Sequence, residues 1–253
     1  MPFSKKYFGL IIIVFITSTF FLNGCLRTYY PLVYGTNASP MVFENPSSYS
    51  ILKSDVGVDF TTSEGFYGGE NLTYLQGALN YVKTQKYTNF NSKYFGYIGK
   101  YRVNDVYSYS YDGNSGIHTK NNWNGSKIGY GFGGEGKFAV NFKFGAFKLG
   151  LGTTVGAATE FGEYYNFRKN AKAQGAISSS SDDTPYLFYA NIFNFLVYEY
   201  SEETNISFQS SVGFPGFISP SISLNNNKNF YWISILPNRI AVGCYMSIEN
   251  IFF

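Results

Sequence analysis

Apolar and polar residues alternate along most of this chain, and the alternation is clearest in residues 128–142. One parity of this stretch is mainly apolar and aromatic, and the other parity is made of glycine, alanine and polar or charged residues. Successive side chains of a β-strand point to opposite faces. The pattern therefore predicts a strand with one oily face, formed by Ile128, Tyr130, Phe132, Phe138, Val140 and Phe142.

Residues 147–161 repeat this design, with apolar residues on one parity and small or charged residues on the other. Each stretch holds 15 residues, whereas a strand needs only about 9–11 residues to cross a bilayer. We therefore expect the two strands to form a hairpin that projects beyond the membrane. The oily face of the second strand includes Phe147, Leu149, Leu151, Val155 and Phe161.

Weaker alternation predicts six further strands. In residues 93–103 one parity holds Phe95, Tyr97, Tyr101 and Val103, and the opposite parity holds Lys100 and Arg102. Residues 185–200 are aromatic on both parities, so their facing stays open. Eight strands predict an all-β fold, an eight-stranded antiparallel up-and-down barrel, and ten strands follow if residues 218–224 and 230–236 pair as an extra hairpin. The other predicted strands are residues 54–61, 72–83, 204–214 and 240–248.

The connections between these strands differ in length. Residues 143–146 and 201–204 are short, whereas residues 104–127, 162–184 and 215–239 are long and rich in Asn, Ser, Gly and Tyr. Short turns at one end and long loops at the other are typical of outer-membrane barrels, where the long loops are external. Only a closed barrel leaves no sheet edge unpaired in lipid. We also expect residues 178–183 to form a flexible, solvated loop tip.

A transmembrane barrel assigns each parity of the two clearest strands to an environment. The oily parity would face acyl chains, and the polar parity would fill a narrow lumen with a network of ion pairs. The predicted lumenal network is Glu135, Lys137, Lys148 and Glu160, which Asp55, Asp59, Lys100 and Arg102 could join. The predicted lipid-facing residues are Ile128, Tyr130, Phe132, Leu149, Leu151 and Val155.

The beginning of the chain predicts export. Lys5 and Lys6 precede an apolar run over residues 7–22, which is short for a spanning helix of about 20 residues. The run ends in Leu22-Asn23-Gly24-Cys25, and prolines punctuate the following residues 26–50, which disfavours helix and central strand. We predict a signal helix in residues 1–24, an extended tether in residues 25–50 and a barrel domain in residues 51–253. An uncleaved membrane anchor is the alternative.

The residues before Cys25 resemble the lipobox of bacterial lipoproteins, which implies a diacylglycerol group on the Cys25 thiol. With the predicted meander and the ending Ile251-Phe252-Phe253, the chain resembles lipid-anchored outer-membrane barrel proteins of Bacteroidota-type bacteria. The resemblance implies an outer-membrane location and contact with outer-membrane lipids. It also implies that the barrel assembly machinery reads Phe253. With an even number of strands, we expect both termini on the periplasmic side and the long loops outside.

Charge and cysteine content exclude several kinds of partner. The chain has 19 Lys+Arg and 16 Asp+Glu. Removal of Lys5 and Lys6 with the signal leaves 17 basic and 16 acidic residues, a net charge of +1. This charge is too small to attract nucleic acid electrostatically. Cys25 and Cys244 are the only cysteines, which excludes a disulfide framework and a cysteine-based metal site. We expect no cofactor and no metal.

Two features could carry chemistry. Gly129-x-Gly131-x-x-Gly134 has the spacing of a dinucleotide-binding fingerprint, but that motif needs a following helix, and the pattern here continues as a strand. Glycine then indicates tight space inside a barrel. His118 is the only histidine and lies in a polar loop near Ser110 and Ser115. A catalytic serine–histidine pair would have to be held rigidly, so we expect an exposed loop histidine and no catalytic residue.

These observations predict a structural or surface-interaction role, without catalytic or channel activity. The three long loops would carry it by binding a ligand or protein that the sequence does not identify. A soluble lipocalin-like barrel, tethered in the periplasm and holding an apolar ligand, is one alternative. A lipid-modifying outer-membrane enzyme that uses His118 is another. The small residues opposite the oily parity favour the membrane barrel, because a soluble barrel needs a polar exterior.

Overall fold

The structure, a computed structural model, describes residues 27–35, 39–43, 50–64, 67, 69–112, 117–214, 217–226, 228–236 and 239–248. The predicted signal, Cys25 and Phe253 lie outside these residues. The described strands are β1 (Ser50–Glu64), β2 (Asn71–Gln85), β3 (Thr88–Val103), β4 (Tyr107–Asp112), β5 (Ile117–Asn122), β6 (Gly125–Phe144), β7 (Phe147–Gly162), β8 (Tyr186–Glu199), β9 (Asn205–Phe214), β10 (Phe217–Asn225), β11 (Asn229–Leu236) and β12 (Arg239–Ser247). Helix α1 spans Glu163–Ala173, and a 3-10 turn spans Leu32–Gly35. Neither helical segment among the described residues is long and apolar enough to cross a membrane.

Ten strands close into one antiparallel barrel, and β4 and β5 form a separate hairpin. Each barrel strand pairs with its neighbour along the chain, apart from the interruption between β3 and β6, and β1 pairs with β12 to close the ring. The predicted all-β meander barrel is confirmed, with ten strands in place of eight. The two added strands are β10 and β11, the hairpin that the sequence left open.

The predicted long connection over residues 215–239 is therefore wrong. Ser219, Ser221 and Ser223 point inward and are buried, while Ile218, Ile222 and Leu224 point outward. Serine on the inner parity made the stretch look like a polar loop, although its alternation is that of a strand with a polar inner face.

The two ends of the barrel differ. The connections β2–β3, β6–β7, β8–β9 and β10–β11 all lie at one end, together with the start of β1 and the end of β12. We call this the short-turn end. The opposite end carries the two long connections, residues 104–124 with the β4–β5 hairpin and residues 163–185 with α1. We call it the cap end, and its long connections are those that the sequence predicted.

Inward glycines explain how so many rings fit inside a small barrel. The ring of Phe193 on β8 lies over Gly152 on β7, where an added Cβ would be 2.3 Å from Cζ of Phe193. The same cross-strand arrangement recurs around the barrel. It pairs Tyr97 with Gly131, Phe95 with Gly133, Phe195 with Gly150, Tyr189 with Gly156, Trp232 with Gly243, and Tyr245 with Gly57.

These pairs settle the facing of two strands. On β8 one set of aromatic residues fills the space above the glycines of β7, and the other set, including Tyr186 and Phe188, is exposed outside. On β3 the structure reverses the expected facing, because Phe95 and Tyr97 turn inward over Gly133 and Gly131. Lys100 and Arg102 are consequently exposed near the cap end and do not join a lumenal network.

Residues 27–35 and 39–43 occupy the inside of the barrel, and we call them the lumen segment. Its side chains Tyr29, Leu32, Met41 and Phe43 are each no more than 2% exposed. The sequence predicted residues 25–50 as an extended tether, and these described parts of that stretch are packed against the inner wall instead.

Candidate functional site

The outer surface of the barrel is apolar. The six residues predicted to face lipid lie there with exposed fractions between 45% for Ile128 and 65% for Leu151. They belong to a larger exposed set that runs around the barrel and includes Leu79, Phe138, Ile192, Phe208, Ile222 and Ile235. Monomeric soluble proteins rarely expose apolar patches larger than a few hundred Å². The outer face is therefore built for contact with an apolar medium.

Aromatic pairs flank this apolar surface in the sector of β6, β7 and β8. Near the cap end, the ring centroids of Tyr130 and Phe161 are 6.1 Å apart. Near the short-turn end, those of Phe147 and Tyr198 are 5.1 Å apart. Aromatic girdles at both interfaces flank the apolar band of membrane-spanning barrels.

The lumen segment is tied to the cap end by its backbone. Ser178 N–H donates to the Arg27 carbonyl over 2.9 Å, and Asp182 N–H donates to the Tyr29 carbonyl over 3.0 Å. Tyr29 N–H in turn donates to Ser181 Oγ over 2.9 Å. Residues 178–183 are consequently not the flexible, solvated tip that we expected, since Ser181 is buried and binds the lumen segment.

Glu70, in the β1–β2 connection, gathers further contacts at the cap end. Its buried carboxylate accepts hydrogen bonds from the Tyr29 hydroxyl at 2.5 Å and from the Tyr101 hydroxyl at 2.7 Å. Arg27 Nη1 lies 3.2 Å from Glu70 Oε1 and also donates to the Asn104 carbonyl. A buried carboxylate is costly unless it is paired and hydrogen-bonded, and here the lumen segment supplies two of the donors.

Below the cap, α1 and β7 hold the 3-10 turn of the lumen segment. Glu160 Oε2 accepts a 2.5 Å hydrogen bond from Leu32 N–H. Its other oxygen lies 2.8 Å from Arg168 Nη2, and both side chains are fully buried. Tyr164 on α1 donates its hydroxyl to the Tyr30 carbonyl over 3.1 Å. The helix thus packs on β6 and β7 at the cap end and helps to hold the lumen segment in place.

Ser39 lies between two buried lysines at mid-barrel. Lys93 Nζ donates to Ser39 Oγ over 2.8 Å, and Lys137 Nζ donates to the Ser39 carbonyl. Each lysine also has a carboxylate partner, Asp59 at 2.9 Å for Lys93 and Glu135 at 3.0 Å for Lys137. The lumen segment therefore bonds to both lysines of a buried charge cluster on β1, β3 and β6.

Little open space remains beside Ser39. A cavity of about 10 Å³ is lined there by Lys93, Glu135, Lys137 and Tyr245, among others. A cavity of about 10–15 Å³ holds one water molecule. The space beside Ser39 is therefore large enough for about one water molecule.

Side chains from three strands hold the lumen segment at the short-turn end. Gln209 Oε1 accepts from Met41 N–H over 3.0 Å. Asn205 Nδ2 and Asn225 Nδ2 both donate to the Phe43 carbonyl, over 2.8 Å and 2.6 Å. The Phe43 ring packs on Phe195 with centroids 4.3 Å apart. The segment is therefore fixed along the whole height of the barrel.

The four residues predicted as a lumenal network are all buried, but they belong to three separate ion pairs. Glu135 pairs with Lys137, and Glu160 pairs with Arg168. Lys148 pairs with Glu199 at 2.6 Å near the short-turn end. The sequence analysis missed Arg168 because it lies in a helix inserted within an expected loop. It also missed Lys93, although that residue shares the inner parity of β3.

The two long connections pack against each other as one cap. Gln174 Oε1 accepts from Ser108 Oγ at 2.9 Å and from Asn121 Nδ2 at 2.7 Å, which joins the β4–β5 hairpin to the end of α1. Burial raises the pKa of Tyr67, which donates its hydroxyl to Thr28. The hydrogen bond from Lys172 lowers the pKa of Asp183. Both residues lie at the cap end of the barrel.

The structure adds no support for the two features that could carry chemistry, the glycine spacing in β6 and His118. The Gly129–Gly134 spacing lies inside β6, where an added Cβ at Gly129 would meet Leu32 of the lumen segment at 2.7 Å. His118 is in β5, and its backbone pairs with Tyr111. Among the described residues, no group of three or more His, Cys, Asp or Glu side chains could hold a metal ion.

The molecule is a closed, ten-stranded antiparallel barrel, and the buried side chains of the lumen segment lie inside it. No protein-family model and no curated protein match the chain. Among solved structures, the chain is similar to the KdgM porin, at 10% identity and a TM-score of 0.25, over 76% of this chain and 99% of that one. It is also similar to the beta domain of the Bordetella autotransporter BrkA, at 9% identity and a TM-score of 0.33, over 79% and 100%. Scores this low transfer no function.

Proposed function

We propose that this chain spans the outer membrane as a barrel that its own lumen segment closes, and that it displays the cap outside the cell. Its role is structural or interactive, without catalysis or conduction. The observation that carries the proposal is the lumen segment, bonded to the wall near Tyr29, Ser39 and Phe43. The long connections face outward because outer-membrane barrels keep their short turns in the periplasm.

The distribution of polarity supports a membrane location. Charged residues such as Glu135 and Lys137 lie inside, and apolar residues such as Leu151 and Ile192 lie outside. A soluble lipocalin-like barrel would need the opposite arrangement. We expect heat-modifiable migration on denaturing gels and extraction from membranes only by detergent after carbonate washing. Release of the intact protein by carbonate alone would contradict the proposal.

The filled lumen predicts that the purified protein does not conduct. In planar bilayers, we expect the full-length protein to give no stable current steps, and a variant that lacks residues 27–43 to give them. If that variant fails to assemble, Ser221→Cys in a Cys244→Ser background provides a second readout. Ser221 is a buried residue of the inner wall, so its thiol should resist a water-soluble maleimide. Conduction by the full-length protein, or rapid labelling at position 221, would contradict a closed lumen.

We further propose that Cys25 carries the acyl group that the lipobox resemblance implies. Mass spectrometry of the purified protein should find the acyl mass on the peptide that begins with Cys25. Cys25→Ser should abolish this mass but leave the folded barrel in the membrane fraction, because its strands hold it there. Phe253 is the proposed signal for the barrel assembly machinery, and its deletion should lower the assembled fraction.

The cap is the proposed interaction surface, because it holds the long connections at the external end. Tyr109 on its hairpin is among the most exposed aromatic residues of the chain, at 69%. The lipid-modifying alternative requires His118. An unchanged lipid profile in cells that produce His118→Ala would end that alternative and leave the interaction role in place.

A further inference from the structure

The lumen segment has a direction that decides where the N-terminus lies. Arg27 contacts Glu70 and Asn104 at the cap end, whereas Phe43 contacts Asn205 and Asn225 at the short-turn end. The lumen segment therefore runs from the cap end to the short-turn end, where β1 also begins. Both ends of the barrel sheet lie at the short-turn end, but residue 27 does not.

Chain length then limits the position of Cys25. Only Leu26 separates Cys25 from Arg27, and a step of two residues along the chain reaches at most about 7 Å. Strands β1, β2 and β3 have 15, 15 and 16 residues, so each is about 50 Å long at about 3.3 Å per residue. Even with a strand tilt of about 45°, the barrel is more than 30 Å high. A Cys25 that follows the described path cannot reach a membrane leaflet at the short-turn end.

We infer that the processed N-terminus, with the acyl group of Cys25, emerges outside the cell beside the cap. This inference rests on the proposed function, which assigns the cap end to the exterior. It replaces the expectation of a periplasmic N-terminus, which counted only the strands of the barrel. The protein then presents a lipid-modified amino terminus at the outer surface, with its acyl chains in the outer leaflet.

The contacts of Arg27 place the exit at the rim of the barrel. Its guanidinium lies 4.9 Å from the ring centroid of Tyr67, in the β1–β2 connection, and donates to Asn104, which follows β3. Its carbonyl accepts from Ser178 on the other long connection. An acyl group two residues away thus starts next to the barrel wall, where only the rim separates it from the outer leaflet.

Cysteine labelling on intact cells tests the inference. Leu26→Cys places a thiol between Cys25 and Arg27, in a Cys244→Ser background that keeps Cys25 for acylation. Two exposed lysines provide matched controls, since each lies near a tyrosine ring. The control substitutions are Lys120→Cys in the cap hairpin and Lys86→Cys in the β2–β3 turn. A membrane-impermeant maleimide should label positions 26 and 120 on intact cells. Position 86 should be labelled only after the outer membrane is opened.

The outcomes separate this inference from the proposed function. Labelling at 120 but not at 26 on intact cells, with 26 gained on permeabilisation, overturns the external N-terminus and leaves the membrane barrel intact. Labelling at 86 on intact cells, with 26 and 120 protected, overturns it as well, because the barrel is then inverted. Release of all three variants by carbonate refutes the membrane barrel itself.

Discussion

At the scale of the residue, pairs of glycine and aromatic residues on neighbouring strands shape the inner wall. The ring needs the space that a side chain would take, so glycine is required where the ring lies. β6 holds glycines with and without such a ring. At Gly133 an added Cβ would lie 2.6 Å from Phe95 Cζ and 2.6 Å from the Ala157 carbonyl, whereas at Gly136 it would meet nothing within 4 Å.

This difference predicts unequal effects of the same substitution. Gly133→Val should destabilise the barrel by about 1–3 kcal/mol, because overpacking forces rings and backbone to shift. Gly136→Val should cost much less, since its side chain points outward into open space. The two variants are compared by their midpoints of urea unfolding, which are monitored through the heat-modifiable gel shift. Equal midpoints would show that the rings do not need the glycines.

The buried pair of Glu160 and Arg168 gives a second prediction at this scale. Arg168→Met should cost about 3–5 kcal/mol, because it leaves Glu160 as an uncompensated buried charge. The double variant Glu160→Gln, Arg168→Met should recover part of that loss. Lys172 is the matched control, since it lies on the same helix and its pair with Asp183 is partly exposed.

For the control, Lys172→Met should cost only about 0–1 kcal/mol, as an exposed ion pair does. Unfolding midpoints in urea should therefore rank the variants with Arg168→Met lowest. A loss of the same size at both positions would mean that the Glu160 pair is not desolvated as the structure has it.

At the scale of the element, the β4–β5 hairpin depends on α1 for its position. Gln174 joins them through Ser108 and Asn121. Gln174→Ala should loosen the hairpin without unfolding the barrel, because the two side chains that donate to this amide oxygen, Ser108 and Asn121, both lie in the hairpin. Limited proteolysis should then cut faster within residues 107–122. Lys169→Ala, an exposed position on the same helix, should leave the rate unchanged, and equal rates in all three proteins would contradict the prediction.

Elements were predictable from sequence where one parity was consistently apolar. β6 and β7 satisfy this rule, because glycine keeps their inner parity small while the outer parity is apolar and exposed. β3 and β8 break it, because the rings that cover those glycines make the inner parity aromatic. The facing of β3 was therefore predicted wrongly. Only the register between paired strands shows which glycine a ring covers, and the alternation pattern predicts which strands pair but not their register.

At the scale of the whole molecule, the least predictable feature is the lumen segment. Its prolines and lack of period suited a tether, and no local pattern marks Tyr29 or Phe43 as buried. Their burial depends on residues far away in the chain, such as Glu70, Asn205 and Asn225. The lumenal charges are also only partly predictable. Alternation along the strands predicted that Lys148 and Glu160 are buried, but it did not predict their partners, Glu199 and Arg168.

The central claim is that the lumen segment, residues 27–35 and 39–43, runs through the barrel from the cap end. A pair of cysteines tests it most directly. Thr28 Oγ1 lies 3.1 Å from Ser180 Oγ at the cap end, while Ser201 lies in the β8–β9 turn at the short-turn end. In a Cys244→Ser background, Thr28→Cys with Ser180→Cys should form a disulfide in the exported protein. Peptide mass spectrometry should detect it, and Thr28→Cys with Ser201→Cys should form none. A 28–201 disulfide without a 28–180 disulfide would contradict the claim.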